Sequence, residues 1–140
     1  MCSGMFQRFG MTTPLALIFY ENLLIGNQLV NRLRDLGYRV RSVNSPELAQ
    51  LASIASEEKP LIFLTELGAQ SEQVCGAVRQ LKENPATAHI PVLAIQRETK
   101  KRADRKMAEA ARTAGVALIA NEAACLSQLP ELLNRALEIE

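Results

Sequence analysis

"LIFLTELG", residues 61–68, is an apolar run that ends in a carboxylate. Its first four residues show none of the alternation of a half-wet strand. Such a segment reads as a strand covered on both faces, as in the middle of a parallel sheet. Glu66 then stands at the carboxyl end of that strand, where open α/β sheets carry their chemistry. The fold and the function both turn on what surrounds this residue.

Outward from it, the chain alternates strands with helices. Upstream, "LALIFY" (15–20) is another short apolar run, and Ile25, Leu29, Leu33 and Leu36 follow at helical spacing up to Gly37, a helix stop. "YRVRSV" (38–43) alternates and carries two arginines, as an edge strand with one wet face would. Ser45-Pro46 opens a helix with Ser45 as its cap, and Leu48, Leu51, Ala52 and Ala55 give it an apolar face.

Downstream, the spacing of Val74, Ala77, Val78 and Leu81 predicts a helix over 72–82. "IPVLAIQ" (90–96) is a strand, and a helix over 99–114 carries Ala103, Met107, Ala110, Ala111 and Ala114 on one stripe, closed by Gly115. "VALIA" (116–120) is the fifth strand, and Leu132, Leu133 and Leu137 mark a last helix over 129–137. Five βα units with crossover helices mean a parallel sheet covered on both faces. The expected domain is 14–140, preceded by an N-terminal extension over 1–13. Met5 and Met11 are alternative starts of translation.

Composition narrows the function classes. The chain has 140 residues, enough for one domain, with 48% apolar and 4% aromatic residues, so the core is aliphatic. A net charge of +1 gives no global attraction to nucleic acid or acidic lipid. Three cysteines (Cys2, Cys75, Cys125) without a CxxC, and one histidine (His89), argue against a zinc site. Free thiols suit a cytoplasmic protein. No apolar run approaches the roughly 18 residues of a membrane span, and the N-terminus lacks the apolar core of a signal peptide. There is no glycine-rich phosphate loop after the first strand, no GxxxxGK followed by Ser or Thr, and no GxSxG elbow. Nucleotide, dinucleotide and hydrolase chemistry are disfavoured, and no cofactor is expected.

Three blocks then point to one family. "EEKPLIFLTELG", "LKENPATAHIPVLAIQ" and "AGVALIANEA" resemble the third strand, the helix–loop–fourth strand and the fifth strand of response-regulator receiver domains of the CheY-like kind. The resemblance spans about 14–139 and implies a flavodoxin-like sheet of order 2-1-3-4-5 and a role in two-component phosphorelay signalling. It also implies what should sit at the strand ends. There the match fails. Two metal-binding acids after the first strand correspond to Tyr20 and Glu21, and the phospho-accepting aspartate to the longer Glu66. The hydroxyl that senses the phosphoryl group corresponds to Gln96, and the conserved lysine of the family to Glu122, a reversal of charge.

The resemblance, so altered, implies a pseudo-receiver that is not an enzyme and acts by binding a protein, a histidine kinase or a downstream signalling protein, or a second copy of itself. Glu21, Glu66 and Glu122 are expected to face one another around a small site with no cation from the chain, which opposes a phosphoryl group of about −2 charge. Glu21 and Glu66 are secondary candidates for a divalent metal. The Tyr20 ring is a candidate to fill the space of metal and phosphate. A phosphoryl- or metal-responsive receiver, with Glu66 or Thr65 as acceptor, is the alternative. For partner binding the candidates are Arg97, Lys100, Lys101, Arg102, Arg105 and Lys106, at the start of the fourth helix of the pattern. Cations there oppose the helix dipole, which hints at a task. Nucleic-acid binding through the same helix is disfavoured, because no aromatic residues interleave.

Overall fold

The computed structural model describes residues 14–96 and 102–139. The sheet has five strands in the order β2-β1-β3-β4-β5. They are β1 (Leu15–Phe19), β2 (Arg39–Ser42), β3 (Ile62–Glu66), β4 (Val92–Gln96) and β5 (Leu118–Asn121). Every pairing is parallel. This is the fold class expected from the alternation.

The helices are α1 (Leu23–Asp35), α2 (Ser45–Leu48), α3 (Leu51–Glu58), α4 (Ser71–Glu83), α5 (Arg102–Ala114), α6 (Glu122–Ser127) and α7 (Leu129–Ile139). Strand alternation sends Leu15, Leu17, Phe19 and Phe63 to one core with α3, α4 and α5. Ala16, Ile18, Ile62 and Leu64 enter the other, with α1, α6 and α7. Both faces of β1 and β3 are therefore dry, which is why their sequences are unbroken apolar runs.

Two helix stops are realised as expected. After α1 the Gly37 N–H donates to Arg34 O and the Tyr38 N–H to Leu33 O, with Gly37 at φ 95°. After α5 the same pair of bonds runs from Gly115 to Arg112 and from Val116 to Ala111. Both are paired left-handed caps that satisfy orphan carbonyls. Gly115 has a second reason to be glycine, since an added Cβ would lie 2.7 Å from Lys82 Cγ. Lys82 in turn donates to Ala88 O at 3.1 Å and Ile90 O at 2.6 Å, and Thr87 Oγ1 donates to Leu81 O at 2.6 Å. These bonds pin the α4–β4 loop. They explain why "LKENPATAHIPV" and "AG" occur together.

Other expectations are corrected. Asn44, not Ser45, caps the helix after β2, in a reciprocal pair with Glu47. That helix is broken, α2 ending at Leu48 and α3 beginning at Leu51. Leu36 is 43% exposed, as it belongs to the cap rather than the buried face, where Gly26 and Val30 pack instead. On α5, Ala110 is exposed and Ala108 is buried. β5 begins two residues later than the apolar run, and α6 follows it directly. The short α6 had no legible periodicity; Asn121 starts it by accepting from the Ala124 N–H at 2.7 Å. The extension over 1–13, Cys2, the opening of the predicted helix at 99, and Arg97, Lys100 and Lys101 lie outside the described residues.

Lys59 ends α3 in the left-handed conformation, at φ 54°. For a side-chain-bearing residue this costs about 1–2 kcal/mol, against about 0.5–1 kcal/mol for the extra chain entropy of glycine. Lys59→Gly is therefore expected to raise stability by about 0.5 kcal/mol, read as a higher urea midpoint at unchanged slope. A lowered midpoint would contradict this account of the turn.

Candidate functional site

The carboxyl ends of β1 and β3 are adjacent, with Phe19 opposite Thr65. From the next position on β3, Glu66 reaches back to the loop after β1. Its Oε1 accepts hydrogen bonds from the Glu21 N–H at 2.6 Å and the Asn22 N–H at 2.9 Å. Asn22 caps α1, its Oδ1 accepting from the Leu24 N–H at 3.0 Å. Glu21 reaches the other way: its Oε2 accepts from the Gln70 N–H at 3.1 Å in the loop after β3. Gly68 makes room for that carboxylate, since an added Cβ would lie 3.0 Å from Glu21 Oε2. Each glutamate thus ties down the loop that follows the other's strand. Carboxylate–amide bonds of this kind are the stronger class of hydrogen bond.

The crossed clasp corrects the expectation of glutamates facing one another around a common centre. Glu21 and Glu66 meet through backbone amides. Glu122 lies in the first turn of α6; burial, and secondarily the charge of Glu122, pushes the Cys125 thiol up to about 12. Among the described residues no group of three His, Cys, Asp or Glu side chains is placed to hold a metal ion. Burial also raises the Cys75 thiol, partly offset by Arg79, so neither cysteine is a thiolate near neutral pH.

Tyr20 is also placed differently from expectation. Its ring packs with the α1 side of the core and lies over Gly26, where an added Cβ would overlap it. The ring is thus turned onto the helix. Gln96 Nε2 donates to Asp104 O at 2.7 Å and ties the end of β4 to the first turn of α5. Thr65 is fully buried. A cleft of about 560 Å³ at this end lies toward β2 and is lined by residues including Glu21, Ser42, Asn44, Glu47 and Gln70. Arg102, Arg105 and Lys106 are exposed on α5.

Sequence reasoning did not single out Gly26, Gly68, Asn22 or Gln70. A glycine inside an amphipathic helix, one α-helical turn from an aromatic strand end, was the signal for Gly26. Gln70 contributes only its backbone N–H, so no residue-type signal existed.

No protein-family model and no curated protein matches the chain. Solved structures do. The receiver domain of a Pseudomonas aeruginosa sensor histidine kinase, solved with magnesium in its active-site cleft, is 20% identical with a TM-score of 0.71, covering 89% of this chain and 98% of that one. The chain has the receiver-domain fold. A Vibrio cholerae chemotaxis protein CheY4 is similar at 16% identity and TM-score 0.71, covering 89% and 99% of the two chains. A CheY-like protein of Pseudomonas aeruginosa matches at 21% identity and TM-score 0.70 over 88% and 98%. Among the described residues no helix is long and apolar enough to cross a membrane.

Proposed function

We propose that this receiver-fold chain is a signalling module that binds a protein partner without accepting a phosphoryl group. The observation that carries the reading is the engagement of Glu66. Its Oε1 is already held by the Glu21 and Asn22 amides. A phosphoryl acceptor must instead offer a carboxylate oxygen in line with the donor, beside cations that offset the incoming charge. Around Glu66 this chain supplies Tyr20, Gln96 and Glu122 where the receiver pattern has an acid, a hydroxyl and a lysine. The Tyr20 ring packs against α1, and the Gln96 amide donates to the Asp104 carbonyl of α5.

With the chemistry withdrawn, the fold offers surfaces. A histidine kinase or a downstream signalling protein is the class of partner implied, since domains of this fold occur in a signal transduction histidine kinase and in a modulated diguanylate cyclase. The exposed Arg102, Arg105 and Lys106 make α5 the leading face for an acidic partner.

The test is incubation with acetyl phosphate and Mg²⁺ followed by intact-protein mass. The proposal expects no adduct. An adduct of one phosphoryl group, lost in Glu66→Gln, would establish a phosphoryl-responsive receiver instead.

A further inference from the structure

The two glutamates of the clasp are linked in series. Glu66 ends β3, and the residue after it is still pinned to the sheet, the Leu67 N–H donating to Ile95 O at 2.8 Å. Glu66 Oε1 takes the N–H of Glu21 itself, so it fixes the backbone from which the Glu21 side chain departs. From there Glu21 Oε2 reaches the Gln70 N–H. Neither glutamate forms an ion pair among the described residues, so backbone amides are what hold both.

Each carboxylate also serves the start of a helix. Asn22 and Gln70 stand just before the first turns of α1 and α4, two helices of 13 residues, where the dipole favours negative charge. Asn22 caps α1 with its own side chain, whereas Gln70 makes no side-chain cap bond, which leaves that place to the Glu21 carboxylate. Gly68 sets the clearance. It is not in the left-handed region, and the nearest atoms to an added Cβ all belong to the Glu21 carboxylate, Oε2 at 3.0 Å first. Glu21 and Gln70 in turn wall one side of the cleft of about 560 Å³, opposite Ser42, Asn44 and Glu47.

We propose that Glu66 and Glu21 form a latch: the loops after β1 and β3 open and close as one unit, and with them that wall of the cleft. Losing the Glu66 bonds frees the backbone that aims Glu21, so Gln70 is released as well. Coupling of this kind is a free energy shared by the two contacts, so it acts equally in the other direction. The opening is local and leaves the sheet folded. The latch deepens the reading of Glu66 as occupied and rests on it, yet its test involves no phosphoryl donor. Loops that open independently would leave the engagement of Glu66 standing, and an adduct with acetyl phosphate would leave exchange in the unmodified protein as it is.

The experiment is amide hydrogen exchange, read by NMR, on the full chain and on Glu66→Ala, Glu21→Ala and Gly68→Ala, with each fold verified by circular dichroism. Glu66→Ala should speed exchange about tenfold at Gln70, which Glu66 does not touch, and Glu21→Ala should speed Asn22 by a similar factor. Gly68→Ala meets only the Glu21 carboxylate, so it should speed Gln70 and Asn22 together and do neither in a Glu21→Ala background. A Glu66→Ala that leaves Gln70 unchanged, or a Glu21→Ala that leaves Asn22 unchanged, overturns the latch. An equal rise at Leu64 in the sheet centre overturns it too, because the effect would then be a global loss of stability. Should either glutamate variant fail to fold, Gly68→Ala decides alone: faster exchange at both Gln70 and Asn22 supports the latch, and any other pattern overturns it.

Discussion

Gly26→Ala should destabilise the protein by about 1–3 kcal/mol, the range for forcing extra volume into a packed site. The sign is the informative part. In an ordinary helix interior the same change stabilises by about 1 kcal/mol, because alanine loses less entropy. Here an added Cβ would overlap the Tyr20 ring at its root, so the whole ring must leave the face of α1. In a Tyr20→Ala background the clash is gone, and Gly26→Ala should revert to stabilising. Urea unfolding of the four proteins in this cycle measures it. A stabilising Gly26→Ala with Tyr20 intact would show that the ring does not rest on α1.

Glu66→Ala should cost about 2 kcal/mol, because two amide donors of the β1–α1 loop lose a charged acceptor together. Glu66→Gln keeps an oxygen in place and should cost less, about 1 kcal/mol. Hydrogen exchange at Glu21 and Asn22 should speed up in the alanine variant, while exchange at Leu64 in the sheet centre follows global stability alone. A neutral Glu66→Ala would mean that the carboxylate is a bystander. The site would then not be closed by Glu66.

The fold was legible because its strongest signals are repetitive. Burial of both faces of β1 and β3 leaves unbroken apolar runs, and paired left-handed caps demand glycine at 37 and 115. What failed to show was short or local. α6 has six residues, too few for a period, and the α2–α3 break falls at Ala49 and Gln50, where no glycine or proline marks it. Leu36 fits the helical spacing yet belongs to the cap, since spacing does not say where a helix stops turning inward.

For the site, the sequence pointed to positions and did not show what their side chains contact. Glu21, Glu66, Tyr20 and Gln96 all differ from the receiver pattern, and that was readable by position. Their new partners were not, because four of the contacts go to backbone groups: the amides of Glu21, Asn22 and Gln70, and the carbonyl of Asp104. Backbone groups are the same at every residue. A substitution that swaps a reactive side chain for a structural one leaves its partner invisible until the loops are placed.

The central claim is that Glu66 is occupied by its own loops and takes no phosphoryl group. The most direct measurement is an amide NMR titration with beryllofluoride and Mg²⁺, a phosphoryl mimic and its metal, observing Glu21, Asn22 and Gln70. The account predicts that these three amides stay where they are at saturating mimic. A saturable shift of the Glu21 and Asn22 resonances, abolished by Glu66→Gln, would contradict it.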